Sequence, residues 1–405
     1  MKMNHSKYDT VVVGAGPAGL IAAHRVAKNG SDVLILEEHH QIGEPDHCAG
    51  LLSTSGLVSL GLRPPDDVIQ NHVVGARIYA PSGHHILVER GQREALVLDR
   101  RRFDQWLSNR ATDAGATIMT NTRVKYLRKE DGRVMGVQTG GDTPQAFLSS
   151  VVINAEGSRG QISSQAGLPT VTRRSKYPAF QYEVKGVDLD ENLVEMYYGR
   201  SFAPGFFAWL IPIGENRARV GLAARNHSIT RLNAAMRHHP VLSERLKHAS
   251  IERRFGGIVL VGLPIKQTVT DGLLVVGDAA GIVKPTTGGG VILGGMAAEI
   301  AGRVVSKVLS NGDSSGASLR EYERSWRALL MKDLRVMYWT QKLLSTLTDK
   351  GLDSLIKDAG ELKLIETVRR EGDMDIQSKV ILRLLSRPST LLAGLKAARY
   401  INPFL

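Results

Sequence analysis

Three glycines near the amino terminus have the spacing of a dinucleotide-binding turn. Gly14, Gly16 and Gly19 follow the apolar run Tyr8–Val13 and open a stretch with helical spacing. The first glycine allows a tight turn, the second lets a pyrophosphate approach the backbone, and the third allows close helix–strand packing. Phosphates would then lie at the amino terminus of the helix, where free N–H groups and the helix dipole favour an anion.

An acidic residue follows the next predicted strand. Glu37 comes directly after the apolar run Val33–Leu36 and 18 residues beyond Gly19 (37 − 19). At that distance a carboxylate reaches the ribose hydroxyl groups in this type of turn. We interpret the neighbouring Glu38 as a solvated charge. Strand, glycines, helix and acid together predict a bound dinucleotide, but they do not distinguish FAD from NAD.

A second glycine-rich segment lies far along the chain. The sequence Asp271–Gly281, DGLLVVGDAAG, contains a predicted buried strand followed by Asp278, and IVKPTTGGGVILGG continues it. Its three consecutive glycines lead into a helix predicted over Val291–Leu309. Glycines at such a turn let a ligand approach the backbone closely. We interpret this segment as a second contact with the cofactor; the alternative is that the glycines serve only packing.

The single cysteine follows the first nucleotide-binding unit. Cys48 lies within GEPDHCAGLLS, residues 43–53. One cysteine excludes an intramolecular disulfide, which fits a reducing cytoplasm. A free cysteine often serves as a small hydrophobic residue, and in an apolar pocket its thiol stays protonated because burial disfavours the thiolate. Cys48 is therefore either a packing residue or a proton donor. The adjacent His47 has no second metal ligand at usable spacing, so we expect no metal site.

The charge balance is basic. The chain has 52 Lys and Arg residues against 40 Asp and Glu, a formal net charge of +12. Such a field favours anionic partners, but the basic residues are scattered and no nucleic-acid-binding module is visible, so we expect no nucleic acid partner. No uncharged apolar run reaches the ~20 residues of a membrane span. We expect a cytoplasmic protein that binds peripherally at the inner face of the cell membrane.

The pattern of elements predicts an α/β fold in three parts. A discontinuous nucleotide-binding domain comprises residues 1–72, 100–168 and 266–315, and includes a helix predicted over Arg101–Ala114. An antiparallel β domain for the substrate is inserted as residues 73–99 and 169–265. A helical region, 316–405, follows with breaks near Gly351 and Pro388. Four antiparallel strands are predicted in the inserted domain: Phe180–Val187, Leu193–Tyr198, Phe206–Ile213 and Arg217–Ala223.

Five segments together resemble a known family. The GDAA at Asp278 resembles the second flavin motif of the glutathione-reductase type of FAD-binding fold, which p-hydroxybenzoate hydroxylase shares. Residues 100–104, RRRFD, match R-x-x-F-D, and FFAWLIPIG is similar to the Y-x-W-x-F-P-x-G segment of geranylgeranyl reductases. With CAGLLS and KPTTGGGV added, the chain resembles the archaeal geranylgeranyl reductase family over most of residues 8–310.

The resemblance implies an FAD-dependent reductase. Asp278 would hold the ribityl chain, and the backbone N–H groups of Gly290 and Val291 would face the flavin ring. Cys48 would line the flavin and protonate an alkene carbon while the reduced flavin supplies hydride. The further cofactor-binding positions it implies are Gly14, Gly16, Ala18, Gly19, Glu37, Ala49, Leu51, Arg100 and Val124, and an apolar tunnel for a prenyl chain would be lined by Phe207, Trp209, Ile211 and Pro212.

Several alternatives stay open. The implied substrates are the geranylgeranyl chains of archaeal membrane lipid precursors, but geranylgeranyl diphosphate or a quinone side chain would suit the same site. Phe207 and Ile211 replace Tyr and Phe of the family segment and move it toward the W-x-W-x-I-P of flavin halogenases. A flavin monooxygenase or halogenase is thus the second reading, and a non-catalytic prenyl-binding protein the third. No second dinucleotide motif is visible, so NADPH or a ferredoxin-like protein would deliver the electrons.

Overall fold

Two large sheets and a set of C-terminal helices make up the structure. The computed structural model describes residues 5–141, 143–361, 364–388, 390, 394, 396–397 and 399–401. In chain order its strands are β1 (His5–Val13), β2 (Val33–Leu36), β3 (Leu51–Ser53), β4 (Ile69–Val73), β5 (Gly75–Tyr79), β6 (His85–Glu89), β7 (Ala95–Leu98), β8 (Thr117–Met119), β9 (Val124–Glu130), β10 (Arg133–Thr139), β11 (Ala146–Asn154), β12 (Lys176–Lys185), β13 (Leu193–Tyr198), β14 (Phe207–Gly214), β15 (Arg217–Ala223), β16 (Ser250–Leu260), β17 (Val269–Thr270) and β18 (Leu273–Val275). Its α-helices are α1 (Pro17–Ala27), α2 (Thr54–Ser59), α3 (Arg100–Asp113), α4 (Gln161–Gln165), α5 (Ser228–His238), α6 (Pro240–Arg245), α7 (Val291–Asn311), α8 (Gly316–Thr346), α9 (Asp349–Glu361), α10 (Leu364–Glu371) and α11 (Ser378–Leu385).

The first sheet is mainly parallel. Its parallel strands have the order β8-β2-β1-β11-β18, β17 is antiparallel at one edge, and the β9–β10 hairpin pairs with the first half of β11. Every residue of β2 and β18 is buried, as expected where helices cover both faces of a parallel sheet. Helix α1 packs against α3 and α7. The strands predicted from the apolar runs are therefore confirmed.

The second sheet is mainly antiparallel. Its order is β16-β12-β15-β14-β13-β5-β6, and only the β13–β5 pair is parallel. The four predicted strands are present, and the turn between β14 and β15 has positive φ at Gly214, Glu215 and Asn216. Strand β16 was not predicted. It is an edge strand in which most residues are exposed and only Leu260 is buried, so its sequence lacks the alternation that marks a half-buried strand.

A small third sheet connects the two large ones. It has the order β3-β7-β4, and its strands are short enough that the sequence did not predict them. Strand β4 crosses the domain limit predicted at 72/73, and it pairs with β7 from the inserted domain. The individual domain limits stay a prediction. The three-part architecture, with a parallel sheet, an antiparallel sheet and a helical C-terminal region, confirms the predicted fold class.

The C-terminal helices return to the sheets. Helix α8 ends at Thr346, a few residues before the break predicted near Gly351, and Gly351 itself lies inside α9. Helix α11 ends at Leu385, just before Pro388. A loop over residues 372–377, between α10 and α11, was not predicted. Its Asp375 accepts a hydrogen bond from Lys284, which lies in the glycine-rich segment before α7. Among the helices that the structure describes, none is long and apolar enough to span a lipid bilayer.

Candidate active site

One cavity of about 870 Å³ lies between the two large sheets and the C-terminal helices. Pro212 is the one predicted site residue that is not part of its wall, because successive strand residues point to opposite faces of a sheet. The Pro212 carbonyl oxygen instead accepts a hydrogen bond from Asn71 Nδ2 at 3.2 Å. The predicted residues that do form the wall are Gly14, Gly16, Ala18, Gly19, Glu37, Cys48, Ala49, Leu51, Arg100, Val124, Phe207, Trp209, Ile211, Asp278, Gly290 and Val291.

The glycine turn leaves room for a ligand at one position only. Gly14 has φ +98°, and a Cβ there would lie 2.5 Å from the carbonyl oxygen of Ala155. At Gly19 a Cβ would lie 2.1 Å from the carbonyl oxygen of Gly14, whereas at Gly16 it would meet nothing within 4 Å. The first and third glycines therefore serve turn and packing, and the space beside Gly16 at the start of α1 fits a pyrophosphate.

Glu37 is held at the end of β2 by its own neighbours. Its Oε2 atom accepts from the Ala15 N–H at 2.8 Å, and its Oε1 atom accepts from the His39 N–H at 3.0 Å. Each carboxylate oxygen has two lone pairs, so Oε2 keeps one free for a ribose hydroxyl at the cavity. The neighbouring Glu38 forms ion pairs with Arg123 and Arg159, so it is less solvated than we predicted.

The segment predicted to make a second cofactor contact brings Asp278 next to the start of α7. Burial raises the pKa of Asp278, and the nearby side chains of His47 and Arg100 oppose this shift only in part. Within the described part of the chain, its carboxylate accepts no side-chain or backbone hydrogen bond. A Cβ at Gly290 would lie 2.8 Å from Asp278 Oδ1, so the glycine keeps this corner open. A free carboxylate beside a helix amino terminus suits the ribityl and ring ends of a flavin.

Arg100 carries a fixed positive charge into the wall. Its Nη2 atom donates to both oxygens of Asp104, at 3.0 and 3.1 Å, one helical turn along α3. Burial lowers the pKa of the Arg100 guanidinium, but the charge and hydrogen bonds of Asp104 outweigh it, so that pKa lies above its ordinary value. The Arg100–Asp104 spacing in RRRFD is therefore that of an (i, i+4) pair on one face of a helix.

The loop that carries Cys48 is anchored from the second sheet. Cys48 is half-buried, and its Sγ atom accepts from the Gly50 N–H at 3.5 Å. On one side Arg253 pairs with Asp46 at 3.1 Å, and on the other Arg219 Nη1 donates to the carbonyl oxygen of Ala49 at 3.0 Å. The thiol is thus held at a fixed position on the cavity wall.

Gln181 connects this loop to the aromatic part of the cavity. Its Oε1 atom accepts from Trp209 Nε1 at 3.2 Å, and its Nε2 atom donates to the carbonyl oxygen of His47 at 3.4 Å. The rings of Phe206 and Phe207 stack with centroids 4.3 Å apart, and the Phe207 ring meets that of Trp209 edge-on at 6.1 Å. The cavity is also lined by side chains of α8 and α11, and we call the part of the cavity between these helices and the aromatic rings the tunnel.

Comparison with known proteins decides the family. The family model described as lycopene cyclase protein matches residues 9–359. A digeranylgeranylglycerophospholipid reductase from Methanopyrus kandleri is 35% identical over 394 residues, which covers 95% of this chain and 98% of that protein. The chain belongs to the geranylgeranyl reductase family.

Two solved structures share the fold over nearly the whole chain. A geranylgeranyl bacteriochlorophyll reductase-like protein from Thermoplasma acidophilum is 28% identical and superposes with a TM-score of 0.86, over 98% of this chain and all of that one. A flavin-dependent brominase is 17% identical with a TM-score of 0.72, over 98% of this chain and 99% of that one, and shows the fold alone. The predicted family and the FAD cofactor are confirmed; the roles of individual residues stay predictions.

Sequence reasoning missed three polar groups in this geranylgeranyl reductase. Gln181 and Arg219 lie on predicted strands, but each alternates with the apolar residues of its strand, so the pattern assigned neither of them to the site. Lys284, within the segment KPTTGGG, pairs with Asp375 at 2.7 Å from Nζ to Oδ1, and both side chains are buried. No sequence pattern indicated that Lys284 is buried or identified its partner, which lies 91 residues away.

Proposed function

We propose that this protein is an FAD-dependent reductase that saturates the C=C bonds of geranylgeranyl chains in archaeal membrane lipid precursors. One observation carries the proposal: a single cavity joins a dinucleotide-binding turn to an apolar tunnel, with the thiol of Cys48 on its wall. A relative that covers nearly the whole chain is named a digeranylgeranylglycerophospholipid reductase. The substrate in that name, a glycerophospholipid with two geranylgeranyl chains, suits such a tunnel.

The residues around the cofactor divide its binding between two elements. The open space at Gly16 takes the pyrophosphate, and Glu37 takes the ribose of the adenosine half. Asp278 accepts from ribityl hydroxyl groups, and the N–H groups at Gly290 and Val291 face the ring. When bound and reduced, FAD supplies hydride; the protein positions it and tunes its surroundings.

Cys48 acts as the proton donor in this proposal. An isolated alkene has no carbonyl group to polarise, so hydride addition to one carbon needs a proton on the other. The S–H bond breaks, the proton bonds to one alkene carbon, and the thiolate later regains a proton from solvent. A proton and a hydride together saturate the double bond without any other reagent. A positioned general acid of this kind contributes ~10²–10⁴-fold to the rate.

The aromatic layer positions the chain and excludes water. Phe206, Phe207 and Trp209 are all buried around the tunnel, and Ile211 continues the same face of β14. Holding an alkene carbon close to both donors removes much of the entropic barrier to the reaction. Trp209 keeps a fixed orientation because Gln181 accepts its N–H and because Gly221, its partner on β15, leaves space for the ring.

The finer parts of the proposal concern partners and location. We propose a phospholipid precursor as the substrate ahead of geranylgeranyl diphosphate or a quinone side chain. NADPH or a ferredoxin-like protein would reduce the flavin. The enzyme would act in the cytoplasm, bound peripherally at the inner face of the membrane, where such a lipid resides; the net charge of +12 supports attraction to anionic headgroups.

Anaerobic single-turnover reduction tests the proposal. The purified flavoprotein is reduced, mixed with digeranylgeranylglycerophospholipid in detergent, and the lipid is weighed by mass spectrometry. We expect flavin reoxidation and a gain of two hydrogen atoms for each double bond reduced. Flavin that stays reduced with every prenyl lipid, yet hydroxylates or halogenates an added substrate when oxygen is admitted, would establish the halogenase or monooxygenase reading. A colourless protein that binds prenyl lipid would establish the carrier.

A further inference from the structure

Two C-terminal helices carry large apolar side chains on their outer surface. On α8, Trp339 is 64% exposed and Leu343 54%, and these residues lie one helical turn apart. On α11, Leu382 is 43% exposed and Leu385 47%. Contiguous exposed apolar side chains of this size mark an interaction surface more often than isolated ones do. We name these four residues the C-terminal apolar face.

The same two helices form part of the tunnel wall. Thr340 and Leu344 of α8 line the cavity, directly next in sequence to Trp339 and Leu343. Ile381 and Leu384 of α11 line it as well, each beside a residue of the C-terminal apolar face. Helices α8 and α11 pack together, and Ser378 Oγ donates to Asp333 Oδ1 between them. The C-terminal apolar face therefore lies on the outside of the helices whose inner sides bound the tunnel.

Basic residues surround the apolar ones. Within the fully described ranges 332–347 and 378–388, Asp333 is the only acidic residue, and it is buried. The exposed cations of the two ranges share the helices with the C-terminal apolar face, and they are Lys332, Arg335, Lys342, Lys379 and Arg383. Of these, Arg383 also pairs with Glu371 of α10. An apolar stripe flanked by Lys and Arg is the pattern of a helix that lies in the interface of an anionic bilayer.

We propose that the C-terminal apolar face docks on the surface of an anionic phospholipid bilayer, so that prenyl chains pass from the membrane into the tunnel beside α8 and α11. The proposal rests on the proposed function for the identity of the chain that enters. It explains why Trp339 is exposed. A tryptophan at the level of the headgroups places its apolar ring among the lipids and its indole N–H toward water. The apolar residues insert among the lipids, and the cations contact the headgroups.

Binding to vesicles tests the surface directly. Wild-type flavoprotein is sedimented with phosphatidylcholine vesicles and with vesicles containing phosphatidylglycerol. We expect tighter binding to the anionic vesicles, and a loss of more than tenfold for the double variant Trp339→Ser/Leu382→Ser. Each cation near an anionic surface strengthens binding on the order of fivefold, so Arg335→Glu/Lys379→Glu should lose still more. Tyr126→Ser on β9 and Arg303→Glu on α7 are matched controls, since both residues are exposed and lie outside the two helices.

Two further readouts separate this proposal from the proposed function. The fluorescence of Trp339 should be quenched by brominated lipid, and that quenching should vanish in Trp339→Phe. The Trp339→Ser/Leu382→Ser variant should reduce detergent-dispersed substrate at the wild-type rate but substrate in vesicles slowly. Vesicle binding that the two double variants leave unchanged, or that the controls lose equally, overturns the docking surface. Self-association of the protein that buries Trp339, in place of contact with lipid, would also overturn the docking surface. A wild-type protein that binds vesicles but reduces no prenyl lipid in detergent would overturn only the proposed function.

Discussion

The Arg219 guanidinium donates from Nη1 to the carbonyl oxygen of Ala49 at 3.0 Å, so a strand of the second sheet anchors the residue after Cys48. Arg219 is 1% exposed, and its Nε atom pairs with Glu183 Oε1 at 3.0 Å. Glu183 also lies 3.9 Å from Arg253, the partner of Asp46. The loop carrying the thiol is thus part of one charge network, in which Arg219, Glu183 and Asp46 are buried and Arg253 is exposed.

Arg219→Met should therefore lower both stability and turnover. Removing one partner of a buried ion pair costs about 3–5 kcal/mol, because the other charge remains buried. We expect that loss in the free energy of unfolding, measured with denaturant, and slower reoxidation of flavin by lipid. Arg217→Met is the matched control: Arg217 lies two residues away on β15, but it pairs with Glu252 at the surface, where such pairs are worth about 0–1 kcal/mol. Equal losses in the two variants would contradict the anchoring role.

Cys48→Ala should separate flavin binding from catalysis. We expect the variant to bind FAD and accept electrons, while flavin reoxidation by the prenyl lipid slows ~10²–10⁴-fold through loss of a general acid. Cys48→Ser should behave similarly, because a hydroxyl is a much weaker acid than a thiol. Stopped-flow absorbance of the flavin is the measurement. A rate for the alanine variant within a few-fold of wild type would show that Cys48 is only part of the wall.

Two of the three glycines of the first turn, Gly16 and Gly19, should respond differently to substitution. Gly16→Val should fold and keep its thermal midpoint without flavin, since a Cβ there contacts nothing within 4 Å, yet it should lose FAD because the side chain fills the pyrophosphate space. Gly19→Ala should destabilise the protein even without flavin, since its Cβ would lie 2.1 Å from the Gly14 carbonyl oxygen. Calorimetry and the flavin content of the purified proteins check both. A Gly16→Val protein with full flavin content would contradict the assignment.

The burial of Asp278 should make the free energy of unfolding of the flavin-free protein depend on pH. Burial raises its pKa in the folded state, so ionising the carboxyl group costs folding free energy. Stability from the protonated group is complete below the unfolded pKa of about 3.9 and is lost as pH rises through the higher folded pKa. Asp278→Asn should therefore gain stability over wild type as pH increases from about 4 to 7, measured by denaturant unfolding. The exposed Asp131→Asn should show no such trend, and a trend of the opposite sign would refute the burial effect.

The sequence was informative wherever local chemistry determines structure. The glycine turn, the acid after β2 and the apolar strands follow from backbone geometry and burial, and these were predicted with their site residues. Contacts between distant segments were not predictable. Nothing in residues near Cys48 indicates that Arg219 or Gln181 would hold the loop, and Lys284 gives no sign of Asp375. Pro212 was grouped with its neighbours by the motif, although strand alternation places it on the other face of β14.

Strand β18 completes the first sheet by pairing with the second half of β11 through residues 273–275. A ribosome that adds about 5–20 residues per second reaches this strand only after roughly a quarter of a minute to a minute of synthesis. Until then the second half of β11 has an unpaired edge, which is a template for pairing with other chains. All strands of the second sheet must therefore be synthesised before β18 can complete the first sheet. We therefore expect a chain that ends before Leu273 to be inactive and to be bound by chaperones or degraded by proteases.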